Sequence, residues 1–328
     1  MKSEVKWPTT GRAPKTLTWH GDGLADWVSG YTWYPDGPVG ESPQYPFPAP
    51  YDGAAVSPSG RYQVVYSEYG LDAQLLDRGE PVREVTRDDD DPGAFLFPVA
   101  FTTLPNGREA LISCPEHRGR LEIEQAETGE RLTARDGAAD DYYHSRLAVS
   151  PGDRWLLSAG WIWHPFKVPQ AYDLRLALTD PASLDTNGVL PSGLFQGELE
   201  SACWLDDDRV AFCAEPGTGG REPQQLCPGD LGVWSMRTGT WESKVPVQGH
   251  LGTLHRFGKY LLSLYGHPKL VDPATGAVLE AWPHLATGER TDGIGWGPEH
   301  QPAVAVHQDG TRFAVAADEF ITIVTWSH

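Results

Sequence analysis

The chain has 328 residues, and 26 Lys and Arg against 45 Asp and Glu give it a formal net charge of -19. Such a charge opposes binding to a phosphate backbone or to an anionic membrane surface, and no segment approaches the ~18 apolar residues of a membrane span. With 36 Gly, 28 Pro, 13 Trp and 2 Met, the composition favours strands joined by tight turns over helices.

The first thirty residues hold Lys2, Lys6, Lys15, Asp22 and Asp26 and no apolar run of signal-peptide length, so the expected location is the cytoplasm. The four cysteines, Cys114, Cys203, Cys213 and Cys227, show no C-x-x-C spacing. They are expected to be reduced thiols, neither a zinc knuckle nor a disulfide framework. Within residues 16–34, Leu17-Thr18-Trp19 and Trp27-Val28 are apolar and β-prone.

From residue 50 to 328 the chain repeats itself. An apolar segment enters a tight turn and a second apolar segment leaves it at Ala55-Val56-Ser57-Pro58-Ser59-Gly60-Arg61-Tyr62, and again at Leu147-Ala148-Val149-Ser150-Pro151-Gly152-Asp153-Arg154-Trp155. Looser copies are Leu104-Pro105-Asn106-Gly107, Leu205-Asp206-Asp207-Asp208, Arg256-Phe257-Gly258-Lys259 and Gln308-Asp309-Gly310-Thr311. Pro presets φ, and Gly or Asn accepts positive φ, so these residues at these offsets make hairpin turns. Their spacing of roughly 45 to 55 residues is that of propeller blades. About twenty residues after the first turn a second one recurs, at Thr128-Gly129, Thr238-Gly239 and Thr275-Gly276, with a glycine for the left-handed position. The unit is therefore a four-stranded meander with strands a to d. Such units bury their two apolar faces by stacking around an axis.

The last unit, through Ile321-Thr322-Ile323-Val324-Thr325-Trp326, stops after three strands. The expectation is a single all-β domain over residues 1–328, a propeller of six four-stranded blades whose ring is closed by a strand from the 16–34 region. Closure removes open sheet edges. Seven blades result if residues 16–50 form a blade of their own.

The Ser-Pro-x-Gly-Arg turns and Val233-Trp234-Ser235-Met236-Arg237-Thr238-Gly239 resemble the WD40-like and TolB-like propeller repeats of bacteria. The stretch from His144 to His164 is similar to a group of bacterial propellers without an assigned activity. The resemblance covers most of residues 50–328 and lacks the Gly-His and terminal Trp-Asp pairs of true WD40 repeats. It implies a fold, and propellers host binders and enzymes alike.

In a meander the a-b and c-d turns share one face of the disc, so the b-c and d-a connections share the other. That second face gathers Glu68-Tyr69, Cys114-Pro115-Glu116-His117, Trp161-Ile162-Trp163-His164-Pro165 and Tyr265-Gly266-His267 from b-c connections. The d-a connections add Asp88 to Asp91, Asp140-Asp141-Tyr142-Tyr143-His144 and the 284–300 stretch, and an insertion from Glu215 to Asp230 falls there as well. The acidic runs lack the D-x-D-x-D-G spacing of a calcium loop and read as solvated connections.

The expected function is a non-catalytic, monomeric scaffold that binds a protein or peptide on this face. Its contact residues would be Tyr69, Tyr142, His144, Trp161, Trp163, His164, Tyr265 and His267, because aromatic side chains supply rigid contact area. The same aromatics also suit packing between blades. The alternative is an enzyme or small-ligand binder with an axial pocket of His117, His144, His164 and His267 and Glu68 or Glu116. His117, His164, His267 and Glu116 would be the candidates for holding a divalent metal. No G-x-S-x-G, H-E-x-x-H or Gly-rich phosphate loop assigns a chemistry.

Overall fold

The Ser-Pro-x-Gly turns fold as their residue types require. Ser57 O accepts from Gly60 N at 2.8 Å and its Oγ accepts from Tyr62 N at 3.0 Å, so one serine closes the turn and starts the next strand. Ser150 repeats this, with its carbonyl taking Asp153 N and its Oγ taking Trp155 N at 3.1 Å. Leu104 with Gly107, and His307 with Gly310, close the looser copies.

The computed structural model describes residues 2–39, 51–88, 93, 95–137, 139, 141–162, 166–219, 222–290 and 301–326. It forms seven antiparallel sheets. After β1 (Lys2–Pro8), blade 1 is β2 (Thr18–His20), β3 (Gly23–Asp26), β4 (Tyr31–Tyr34) and β5 (Gly37–Val39). Blade 2 is β6 (Gly53–Val56), β7 (Tyr62–Tyr66), β8 (Asp72–Asp77) and β9 (Glu80–Thr86). Blade 3 is β10 (Val99–Thr103), β11 (Glu109–Ser113) and β12 (Glu122–Gln125), and blade 4 is β13 (Leu147–Val149), β14 (Trp155–Ile162) and β15 (Phe166–Asp173). Blade 5 is β16 (Leu199–Trp204), β17 (Arg209–Ala214), β18 (Asp230–Ser235) and β19 (Thr240–Pro246). Blade 6 is β20 (Leu254–Phe257), β21 (Tyr260–Ser263), β22 (Lys269–Val271) and β23 (Val278–Ala281), and blade 7 is β24 (Val304–Val306), β25 (Arg312–Ala316) and β26 (Phe320–Trp326).

The ring is closed by an N-terminal strand, but the strand is β1. It pairs antiparallel with β26 from Lys2 opposite Trp326 to Pro8 opposite Phe320 and takes the outermost place in blade 7. The 16–34 region instead supplies blade 1, so the blades number seven and not six. Two turns account for this extra blade. Gly21, with φ of 58°, turns β2 into β3, and Tyr34-Pro35-Asp36-Gly37 turns β4 into β5. Both are turn sequences of the kind that mark the other blades, set closer together.

Two blades depart from four strands among the described residues. In blade 3 the outer position holds a single bridge, Glu124 to Arg131. In blade 4 the chain leaves β15 directly into a short helix, α1 (Leu174–Ala177), because the Asp173 carboxylate caps the N–H groups of Arg175 and Leu176. Leu174, Ala177 and Leu184 then bury against Ala110, Ile112 and Ile123 of blade 3. Helical turns thus cover the surface that an outer strand would have covered.

Neighbouring blades are latched at their a-b turns. Glu109, at the start of β11, accepts from Ser57 Oγ (3.0 Å), Ser59 N (2.7 Å) and Ser59 Oγ (2.7 Å) of blade 2. Asp153 does the same for Thr102 Oγ1 and Thr103 N of blade 3, and Asp207 for Gly152 N of blade 4. Blade 1 is organised by one buried carboxylate. Asp26 accepts from Lys15 N, Thr16 N, Thr16 Oγ1, Val28 N and Ser29 N. Asp26→Ala would strand several of these donors in a dry site, so the unfolding free energy measured in urea is expected to fall by about 3 kcal/mol. A loss below ~0.5 kcal/mol would mean that water replaces the carboxylate at no cost.

Candidate functional site

The face made by b-c and d-a connections carries a cavity of about 240 Å³ at the mouth of the axial channel. Blades 1, 2, 6 and 7 line it where their innermost strands begin, through Lys15, Asp52, Thr253, His255 and Ala303 among others. The first residues of inner strands meet here because every d-a connection delivers the chain to the axis at the same height.

One ion pair spans this mouth. Glu68, in the b-c connection of blade 2, receives Arg290 Nη1 at 2.9 Å from the connection between blades 6 and 7. The Arg290 guanidinium lies 6.0 Å from the centroid of the Tyr69 ring. Asp52 steadies the pair from below by accepting Glu68 N at 2.7 Å. On the other side, the connection carrying Arg290 is stitched to the b-c loop of blade 6, with Gly266 N donating to Gly288 O and Thr287 N to Gly266 O. Both glycines have positive φ, 73° and 75°, which permits this close pairing of two loops. Tyr265 and His267 flank the stitch, both partly exposed, and burial with the nearby Lys269 charge lowers the His267 pKa.

The other candidates are placed differently. Tyr142 and His144 are fully buried between blades 3 and 4. The Tyr142 hydroxyl donates to Ser158 O or Val168 O and accepts from Gly160 N at 2.8 Å. Gly160 is required there, because a Cβ would stand 1.9 Å from Tyr143 O. His144 lies against Tyr142 and Tyr172, with Nδ1 3.0 Å from Ser158 Oγ. Burial pushes its pKa down to about 3. Trp161 is buried and stacks on Tyr143 with ring centroids 3.8 Å apart. These residues therefore serve the packing of the long β14–β15 hairpin, at whose end Ile162 and Phe166 are exposed. Trp163, His164, Asp89 to Asp91 and Asp140 lie outside the described residues.

His117 caps its own turn, its Nδ1 accepting from Gly119 N at 3.1 Å, and Glu116 pairs with Arg131 at the rim of blade 3. Of the described residues of the expected axial pocket only Glu68 is in the cavity wall, and the described imidazole there belongs to His255. Among the described residues no group of three or more His, Cys, Asp or Glu is arranged to hold a metal ion. All four cysteines are free and buried.

A second carboxylate, Glu200, is buried beside the mouth. A register shift in β16 between Leu199 and Ser201 accompanies its position, and such bulges re-aim a side chain. Its Oε1 accepts from Gly252 N at 2.6 Å and lies 3.5 Å from His250 Nδ1, while Cys213 Sγ is 3.6 Å from Oε2. Burial raises its pKa. Stability from a raised acid is present below the unfolded value, 4.5, and is lost as pH rises through the folded value. Glu200→Gln is therefore expected to match or exceed the parent in stability at pH 7, with the advantage shrinking as the pH falls toward 4.5. Denaturation curves at several pH values would show this, and a variant that loses stability most at pH 7 would contradict it.

These features define a seven-bladed β-propeller with a polar axial cavity on one face. No family model matches the chain, and no curated protein matches it. Among solved structures, a chain in "Crystal Structure of Mitotic Checkpoint Complex" is similar in fold, with a TM-score of 0.59 and 12% identity, over 99% of this chain and 91% of that one. In all, 1069 chains of solved structures match, so the fold is widely shared and function has to be argued from the site. No helix among the described residues is long and apolar enough to cross a membrane.

Proposed function

We propose that this protein is a non-catalytic interaction scaffold that binds a protein or peptide on the face formed by the b-c and d-a connections. The observation that carries the reading is the axial cavity, lined in part by the Glu68–Arg290 pair, with the partly exposed Tyr69 beside Arg290 and the partly exposed Tyr265 and His267 in the loop that pairs with the Arg290 connection. Aromatic and Arg side chains around a concavity are the groups that dominate binding energy in protein interfaces. The similarity to a chain from a complex of proteins agrees with this reading at the level of fold. Tyr142, His144 and Trp161 contribute indirectly, by holding the β14–β15 hairpin at the edge of the face. The protein is expected to act as a monomer in the cytoplasm, without nucleic acid.

Site-specific photo-cross-linking tests the face. With p-benzoylphenylalanine at Tyr69 or at Tyr265, one discrete protein adduct common to both positions is expected in the cells of origin. The same probe at Asn106, in an exposed a-b turn on the opposite face, is expected to give none. An adduct only from Asn106, or none from any position, would refute the assignment.

A further inference from the structure

At the seam of blades 5 and 6 a buried acid faces a partly exposed base. The Glu200 side chain has no exposure, and its Oε1 lies 3.5 Å from Nδ1 of His250, whose side chain is 36% exposed. That separation is longer than a hydrogen bond, and Nδ1, itself buried, makes no hydrogen bond among the described residues. The other close neighbours of the carboxylate are donors, Gly252 N to Oε1 at 2.6 Å and Cys213 Sγ to Oε2 at 3.6 Å. Two cations stand near and are bonded to backbone, Arg146 to the carbonyl oxygen of Glu200 and Lys269 to that of Tyr265. An added proton therefore finds an oxygen and a nitrogen together between Glu200 and His250.

We infer that Glu200 and His250 form a site for one proton, and that its occupancy sets the position of the 250–253 connection at the mouth of the axial cavity. A proton held between the two turns the gap into a charge-assisted contact, shorter and stronger than a neutral one. Burial acts in the same direction, raising the pKa of Glu200 above 4.5 because a dry site disfavours the charged carboxylate. The site fills as the pH falls, and the exposed part of the His250 ring gives the proton its route. The connection carries the change onward. The His250 and Tyr265 rings have centroids 5.1 Å apart, and Tyr265 N donates to Leu251 O at 3.3 Å. Gly252, with φ of 60°, is packed so closely that a Cβ would stand 2.8 Å from Arg290 O and 3.1 Å from Tyr265 Cβ. Thr253 lines the cavity itself. As regulation of the proposed binding face, this rests on the scaffold reading.

Amide NMR spectra of the full chain between about pH 7.5 and about pH 5, the range in which a histidine–carboxylate pair takes up its first proton, test this. The amides of Gly252 and Tyr265 are expected to shift together with one midpoint, above 4.5, while that of Asn106 on the opposite face stays still. Glu200→Gln and His250→Gln are each expected to lower the midpoint by about 0.3 of a pH unit or more, the twofold loss of affinity when one of two equal proton acceptors is removed. The double replacement is expected to abolish the shift. His250 is partly exposed, so its replacement preserves the fold and decides the matter even where Glu200→Gln does not fold. Still amides at Gly252 and Tyr265, an unchanged midpoint in His250→Gln, or a double variant that titrates like the parent would overturn the inference, the last by assigning the proton to His267. The cross-linking experiment decides separately. An adduct at Tyr265 without the titration removes only the proton site, and the titration without any adduct removes only the scaffold reading.

Discussion

Deleting residues 2–8 is expected to convert the protein from a dispersed species into aggregates. β1 satisfies the whole outer edge of β26, residue by residue from Lys2 to Pro8. Without it, Phe-Ile-Thr-Ile-Val-Thr-Trp at 320–326 becomes an unpaired β-branched edge, the kind of strand that recruits other chains. The deletion also removes Trp7, which packs with Leu17, Leu24, Trp33, Ile321 and Ile323 where blades 7 and 1 meet. Trp7→Ala alone, which keeps the strand, is expected to cost about 3 to 5 kcal/mol. Light scattering of the deletion and urea denaturation of the point variant separate edge protection from core filling. A deleted chain that scatters like the parent and melts at the same temperature would show that β1 is dispensable.

The second large effect concerns acid. Burial holds the pKa of His144 at about 3 against 6.5 for the free side chain, so the folded protein keeps it neutral while the unfolded chain takes up a proton. For a depressed value, the stabilising contribution is complete above about 6.5 and is lost as pH falls toward the folded value. Between pH 7 and pH 4 the loss is expected to be about 3 kcal/mol, at 1.36 kcal/mol per pH unit below the unfolded value. His144→Gln can still meet Ser158 through its amide and carries no proton to gain. Its unfolding free energy should therefore vary less with pH than the parent's, whatever its value at pH 7. Parallel pH dependences in the two proteins, or an imidazole resonance that titrates near 6.5 in the folded parent, would refute the assignment. The contact with the rings of Tyr142 and Tyr172 explains why a histidine on a d-a connection is a core residue.

Local chemistry made the repeat legible. Ser57 and Ser150 close turns with their own carbonyls and start strands with their hydroxyls, an arrangement contained within six residues. The Thr-Gly pairs before β19 and β23 are equally local, with Gly239 at φ of 65° and Gly276 at φ of 71°. Blade 1 carries the same kind of signal, His20-Gly21-Asp22-Gly23 and Tyr34-Pro35-Asp36-Gly37, only 35 residues before the next blade counted from Thr18 to Gly53. Its shorter spacing falls outside the period set by the others.

The site was legible only in part. The sorting of connections onto two faces follows from the meander alone, and it brought Glu68, Tyr69, Tyr265 and His267 into consideration. Lys15, His255 and Arg290 had no sequence signal. They come from three separate connections or strands, and their relation exists only once blades 1, 2, 6 and 7 surround a common axis. Glu200 was equally silent, because the register shift that turns it inward appears only when β16 pairs with β17.

By itself, then, the order of residues determined the unit of this protein, a hairpin meander repeated until it must close, since turn propensity and strand alternation act over a few neighbouring positions. Tertiary structure alone decided how many units fit the ring, which segment completes the last, and which imidazoles and aromatics are buried. Those outcomes depend on packing and on pairing between distant segments such as β1 and β26, where burial rather than local preference sets the free energy.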